Sequence, residues 1–307
     1  MAEQEHLARL RLNLTRRAEL LELTRRFFRD QGFLEVETPV RTPAVAPEAS
    51  ITPFGSEGWF LITSPELHMK RLLAAGYQRI FQISRCFRRA ERGRQHNPEF
   101  TMLEWYRTNA NYLDVIRDTE QLLIFLAQSF LGTTTISYQG QQIDLALPWE
   151  HLSIRKAYIK YADWDPIGAF DAPRFDDDMA LRVIPSLPLD RTVVLKDYPK
   201  EAASLAQLKA GDPDIAERAE IFMGGLELAN AYSELNDRKE QVWRFTEESA
   251  LIAKTQGRHP PLPQSFLEAV GHMPPAGGIA LGLDRLVMLF CDASSIDEVI
   301  AFTAETA

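Results

Sequence analysis

The chain has 307 residues, 45% of them hydrophobic and 25% charged, with a formal net charge of −9 at pH 7. These values exclude a disordered chain, leave room for one large or two modest domains, and weigh against nucleic-acid binding, which relies on Lys and Arg neutralising phosphates. No apolar run is long enough to span a bilayer, residues 1–10 lack the apolar core of a signal peptide, and Cys86 and Cys291 fit no metal or redox spacing. The two thiols are expected to be buried in a reducing cytoplasm.

In residues 3–29, Leu7, Leu10, Leu14, Ala18, Leu21 and Phe28 recur at three- and four-residue spacing, the pattern of one face of a long helix. Gly32 suits its end, and a strand over 33–40 is predicted to break at Pro39. Residues 51–62 read as short strands separated by turns. Ser64, Pro65 and Glu66 then open a helix to about Ala75, with serine as N-cap, proline at the first position and Gly76 after the end. Glu66 would complement the helix dipole.

Residues 79–87 read as a strand leading into FRRAERGRQHNPEFTMLEWY, residues 87–106. Arg88, Arg89, Arg92, Arg94 and His96 crowd a glycine-containing loop, after which apolar and polar residues alternate. Period-two geometry places Phe100, Met102, Glu104 and Tyr106 on one face. A carboxylate and a phenol thus point the same way beyond a cluster of arginines, an arrangement suited to a polyanion at one end and an amine at the other. By composition alone, a solvated basic hairpin tip followed by an edge strand is the commoner arrangement.

A helix is predicted over 111–131, with Leu113, Ile116, Leu123 and Phe130 inward, and a hairpin over 133–147 turning at Gln139-Gly140. Residues 150–191, rich in proline and aspartate, read as an insertion with a helix over 155–161. A strand over 192–195 and a helix over 202–208 follow. In residues 219–237, Glu220, Glu227 and Glu234 recur every seven residues, but Gly224-Gly225 and the β-favouring Ile221, Phe222 and Tyr232 argue for strands. An odd interval puts successive glutamates on opposite faces, so a bulge is expected at the double glycine to bring Glu220 and Glu227 to one side. A helix over 238–255 should start at Asp237 with Glu240 completing a capping box and end at Gly257. A short helix over 265–270, a strand over 278–281 and a helix over 284–290 close the chain, with no repeat and no interdomain linker.

Three stretches together resemble the class II aminoacyl-tRNA synthetases, lysyl branch. GFLEVETP (32–39) resembles motif 1, the FR…E…HNPEFTMLEWY stretch motif 2, and GGIALGLDRLVML (277–289) motif 3. The resemblance implies an α+β fold, a single catalytic domain over 1–307 with an antiparallel sheet flanked by helices. It also implies a homodimer joined through the first helix and strand, although on sequence alone that helix fits a cover for the chain's own sheet equally well.

Joining an amino acid to AMP brings two anions together, work for arginines and magnesium more than for a general base. By resemblance, the catalytic pair is Arg88, on the α-phosphate and the amino acid carboxylate, and Arg285, over adenine near the γ-phosphate. Arg94 and His96 would reach the outer phosphates and Phe100 would stack on adenine, with Asn97 and Gly282 completing the ATP site. Glu220 and Glu227 match the family's magnesium ligands. The family's glutamate two residues after the first arginine is replaced by Ala90, so Glu91 is expected to reach adenine from a shifted loop. For the amino acid, Glu66 would contact the α-amino region. Glu104 and Tyr106, with Asn230, Tyr232 and Glu234 opposite, would hold the side-chain amine.

The stretches TSPELHMKRLLAAG, HNPEFTMLEWYR, ELAN and ALGLDRLVML further resemble the truncated branch that ligates (R)-β-lysine to a lysine of elongation factor P. Only the first helix precedes motif 1, so no anticodon-binding OB domain is expected, and neither tRNA nor a membrane is an expected partner. Ser64 and Ala280 stand where full-length lysyl enzymes tend to carry alanine and glycine, and Ala280 is expected to reshape the pocket for a β-amino acid. The alternatives are a minimal synthetase charging tRNA, another amino acid:AMP ligase, or an inactive fold used for binding. Retention of Arg88, Glu220, Glu227 and Arg285 weighs against the last.

Overall fold

A computed structural model describes residues 2–307. The first helix, α1 (Ala2–Asp30), buries Leu20, Leu23, Phe27 and Phe28 in its second half, while Leu12 in its first half is 59% exposed. Gly32 ends it with φ +76°, turning the Phe33 N–H back to the Phe28 carbonyl at 2.9 Å. The strand predicted over 33–40 is only β1 (Leu34–Glu35). One more backbone bond, Val36 N–H to Phe81 at 2.9 Å, extends the pairing before Pro39, which has no N–H to offer.

Next come β2 (Arg41–Thr42), β3 (Gly55–Ser56) and β4 (Trp59–Leu61), a small separate sheet, then α2 (Glu66–Ala74). The Ser64 hydroxyl accepts from the Glu66 N–H at 3.0 Å, as a cap should. Strands β5 (Arg79–Phe87) and β6 (Glu99–Thr108) pair from Arg79↔Arg107 to Phe87↔Glu99 and hold the arginine loop between them. Residues 101–106 are all buried, so β6 is a central strand and not an edge.

Helix α3 (Tyr112–Leu131) starts at a reciprocal cap between Asn111 and Asp114. The hairpin of β7 (Thr135–Tyr138) and β8 (Gln141–Asp144) turns at Gln139 and Gly140, both at positive φ, as predicted. Residues 150–191 begin with β9 (Glu150–Ser153), which pairs parallel with β10 (Thr192–Pro199). Helices α4 (Ile154–Tyr161) and α5 (Ala172–Asp178) lie between them, around the stacked rings of Tyr158 and Phe175.

The helix predicted over 202–208 is absent. After a single 3-10 turn the chain runs extended into β11 (Leu208–Lys209), with Ser204 at φ +51°. Gln207 N–H bonds to Ser233 at 2.9 Å and Leu235 N–H to Leu205 at 3.0 Å. A stretch this short nucleates a helix poorly, and a strand end beside it satisfies the same backbone groups.

Strands β12 (Asp212–Met223) and β13 (Leu226–Ser233) correct the expected bulge. Gly224 and Gly225, at φ +57° and +80°, form a two-residue hairpin turn, which already puts Glu220 and Glu227 on one face through the pair Phe222↔Glu227. The bulge comes at Leu228, between the pairs Phe222↔Glu227 and Ile221↔Ala229. It resets the parity of Glu227 against Asn230, Tyr232 and Glu234.

Helix α6 (Arg238–Gln256) has only half the predicted box. Asp237 accepts from the N–H groups of Lys239 and Glu240, but the Glu240 carboxylate turns to Arg244 at 2.9 Å. Then come α7 (Gln264–Ala269), β14 (Ala276–Gly282) and α8 (Leu283–Cys291).

The main sheet runs β1-β5-β6-β14-β13-β12-β10-β9, with β11 on β12, and only its two outer pairs are parallel. One face packs against α1, α3 and α8 through a core in which Phe28 stacks on Phe81 and tilts onto Trp105, at 4.8 and 5.1 Å. The other face is the floor of a cleft. Both cysteines are buried. Among the described residues, no helix is long and apolar enough to cross a membrane.

Candidate active site

The register of four strands lays out the cleft floor. Glu104, Ala280, Asn230 and Glu220 are successive partners across β6, β14, β13 and β12, and Tyr106, Gly278, Tyr232 and Arg218 form the row beside them. A Cβ at Gly278 would lie 2.0 Å from Glu234 Oε1 and 2.3 Å from the Tyr106 ring, so only glycine lets those two side chains meet. Over this floor lies a cavity of about 1120 Å³.

At one end, the buried Glu104 carboxylate accepts from the Ser64 hydroxyl at 2.6 Å and the Tyr106 hydroxyl at 2.8 Å. Burial, reinforced by the nearby charge of Glu66, pushes its pKa up to about 8. Below it lies Lys70, which the sequence reading missed. Its ammonium is 1% exposed and pairs with Glu66 and, at 2.5 Å, with Glu234. Burial alone would favour the neutral amine, but the two carboxylates outweigh it and hold Lys70 protonated. The four-residue spacing of Glu66 and Lys70 on one helix was the available signal. Ala280, between Glu104 and Asn230, is half-buried against Ile62, Cys86 and Met102.

In the middle, Arg218 was also missed. It donates to Glu220 at 2.6 Å, to Asn230 at 3.3 Å and to the Ala202 carbonyl at 2.7 Å, with Tyr198 and Tyr232 against its plane. Asn230 also donates to Glu220 at 3.1 Å. The guanidinium thereby fixes two of the residues singled out from the sequence. Its spacing of two from Glu220 on a strand is the signal that would have placed it on the same face.

At the other end, Arg88 lies over the Phe100 ring at 5.2 Å and 3.8 Å from Glu91, with its buried Nε left without a partner. A buried, unsatisfied cationic donor is a ready anion site. Ala90, at φ +68°, makes the bend that swings Glu91 toward Arg88. Arg285 donates to His96 Nε2 at 2.6 Å and to the Glu227 carbonyl at 2.5 Å. Arginine only donates, so His96 accepts there; partial burial and the Arg285 charge keep its pKa below the usual histidine value. Asn97 and Gly282 line the cleft, but the Asn97 side chain is occupied by the Glu99 carbonyl and the Ala304 N–H. Arg94 lies outside the cleft wall, over the Ser294 carbonyl at 3.5 Å.

Glu220 and Glu227 project from the same face of the β12–β13 hairpin. Withdrawal from bulk water, and then the charge of Glu220, lift Glu227 to about 6. Like charges held together in this way welcome a cation, and hard carboxylate oxygens suit magnesium. Among the described residues, no group of three or more His, Cys, Asp or Glu side chains is placed to hold a metal, so an ion here would share its coordination with phosphates.

Residues 6–306 match the family model of the class II tRNA synthetases (D, K and N). The chain belongs to this family. An elongation factor P (R)-beta-lysine ligase of Pectobacterium carotovorum subsp. carotovorum (strain PC1) is 38% identical over 96% of each chain, and one of Salmonella typhi is 36% identical with the same coverage. The lysine–tRNA ligase of Moorella thermoacetica is 36% identical over 93% of this chain and 64% of its own length. In this class II chain, the motif 1 stretch follows directly on α1 and carries β1, the motif 2 stretch lies in the β5–β6 hairpin, and the motif 3 stretch in the β14–α8 unit.

Proposed function

We propose that this class II ligase activates lysine or (R)-β-lysine with ATP and transfers it to the ε-amine of a lysine on elongation factor P. The observation that carries the reading is one cleft with Glu104 and its two hydroxyl donors at one end and the unsatisfied Arg88 Nε at the other. An amine and a carboxylate on one small molecule answer that pair. Activation joins the amino acid carboxylate to the α-phosphate and releases pyrophosphate. Arg88 neutralises the two anions as they meet, while Arg285, tethered to His96 and the Glu227 backbone, stands ready for the outer phosphates. Phe100 offers its ring to adenine. Glu220 and Glu227 would hold magnesium, which supplies charge neutralisation of the phosphates.

The lysine-type substrate fits the charge balance. Among the described residues, Glu66 and Glu234 share the one ammonium of Lys70 and Glu104 has only hydroxyl donors, leaving room for a ligand with two ammonium groups. Ala280, on the floor between Glu104 and Asn230, would reshape the pocket for a β-amino acid. The net charge of −9 favours a protein acceptor over tRNA. A cytoplasmic homodimer completes the reading, supported by the exposed apolar side chains of Leu12, Leu34 and Val40 on the motif 1 unit.

The test is ATP-dependent transfer of labelled lysine and (R)-β-lysine, with elongation factor P and total tRNA offered separately. Label on the factor alone is the expected result. Label on tRNA would instead establish a minimal synthetase, a reading kept open by the match to a lysine–tRNA ligase.

A further inference from the structure

The cleft also has exposed carboxylates without partners, Asp176, Glu201 and Glu247, but those drawn back from the surface nearly all have donors. Glu66 holds Lys70, Glu104 the Ser64 and Tyr106 hydroxyls, and Glu220 Arg218 and Asn230, while Glu227 faces Arg285 at 3.8 Å. Glu48 is different. Its half-buried side chain lines the same cavity, yet among the described residues it makes no hydrogen bond or ion pair. The loop carrying it is not loose: the Ala49 N–H donates to Glu248 at 2.6 Å and the Ala49 carbonyl accepts from Gln256 at 2.6 Å, both on α6. A turn from Glu48 to Ile51 at 3.2 Å fixes the other side. A carboxylate is thus held in the cleft by its backbone while its oxygens are left free.

We propose that Glu48 accepts the proton of the acceptor lysine when the activated amino acid is transferred. The inference rests on the transfer reading above. The acceptor ε-amine has an ordinary pKa of about 10.4 and enters as an ammonium without a lone pair. The Glu48 carboxylate takes one proton. The freed lone pair attacks the acyl carbon, the C–N bond forms, and the bond from that carbon to the phosphate oxygen breaks. AMP leaves with the electron pair, and the second nitrogen proton passes to water.

The surroundings fit this task. The charged groups facing Glu48 are Arg88 from the motif 2 loop, Glu66 from α2, Glu248 from α6 and Arg218 from β12. Arg88, the group assigned to the reacting carboxylate, acts on it most strongly among them and lines the same cavity. Burial is the largest influence and, with the two glutamates, outweighs the arginines to bring the carboxyl to about 7, the range in which a base is charged and still holds a proton.

The experiment compares wild type and Glu48→Gln in two half-reactions: ATP–pyrophosphate exchange with lysine, and single-turnover transfer from the preformed adenylate to elongation factor P between pH 6 and 9. Wild type comes first; failure of exchange or of transfer there overturns the activation or the acceptor reading separately from this one. The expected variant retains exchange with an unchanged KM for lysine, transfers about 100-fold more slowly, and recovers as pH rises and free amine becomes available. Transfer at the wild-type rate overturns the proposal. So does a rise in lysine KM matching the fall in transfer, which would make Glu48 a ligand of the substrate amine. Should the variant lose exchange through misfolding, the wild-type transfer profile decides: a break near pH 7 supports the base, and an unbroken log-linear rise to pH 9 overturns it.

Discussion

Glu104 has two hydroxyl donors and no cation of its own. With its pKa at about 8, the carboxyl holds a proton in the empty pocket at neutral pH, whereas an ammonium ligand needs the carboxylate. Binding then releases a proton, and amino acid affinity strengthens as pH rises toward 8. The KM for lysine in pyrophosphate exchange is expected to fall several-fold between about pH 6.5 and 8.5. Glu104→Gln should raise that KM about 10- to 100-fold and remove the slope; a pH-independent KM in wild type would mean that the empty pocket is already ionised. The singled-out residues were legible as neighbours because motifs place them on adjoining elements, and most of them line one cleft, with Arg94 outside it. Lys70, Arg218 and Glu48 were not legible, because a sequence does not say which charges will be buried together. Lys70 reads as the polar side of a short helix until the strands supply Glu234 beneath it.

Elements show the same divide between local and distant causes. The β5–β6 pair, the Gln139-Gly140 turn and the glycines after α1 and α6 follow from neighbours in sequence, and the structure matches them. The 202–208 segment and the bulge at Leu228 are set by partners on other strands, so local pattern misplaced both. A similar long-range tie joins α1 to the motif 3 helix. Arg17 pairs with the nearly buried Asp284 at 2.6 Å and donates to the Thr101 hydroxyl at 2.8 Å, while Asp284 also accepts the Thr101 N–H at 2.7 Å. Arg17→Met strands that carboxylate and should lower stability by about 3 kcal/mol. Urea unfolding measures the loss, and adding Asp284→Asn should recover part of it. Additive losses would show that the two residues are not coupled.

For the whole molecule, the exposed Leu12, at 59%, together with Leu34 and Val40, marks the motif 1 unit as the dimer face of the proposed reading. Leu12→Asp is expected to convert a dimer to a monomer in sedimentation equilibrium while leaving the helical circular dichroism unchanged; no change in mass would place the contact elsewhere. Glu104, Ala280, Asn230 and Glu220 lie in one row across four hydrogen-bonded strands. Strands repeat every ~4.8 Å, so the row spans about 14 Å. The sheet is therefore a ruler, graduated by backbone bonds that no single side chain can stretch. An extended lysine covers only about half of that length, so in the proposed reading it engages the Glu104 end while the Glu220 end is left to the nucleotide, and the offset between the two ligands is set by the sheet and not by any one side chain.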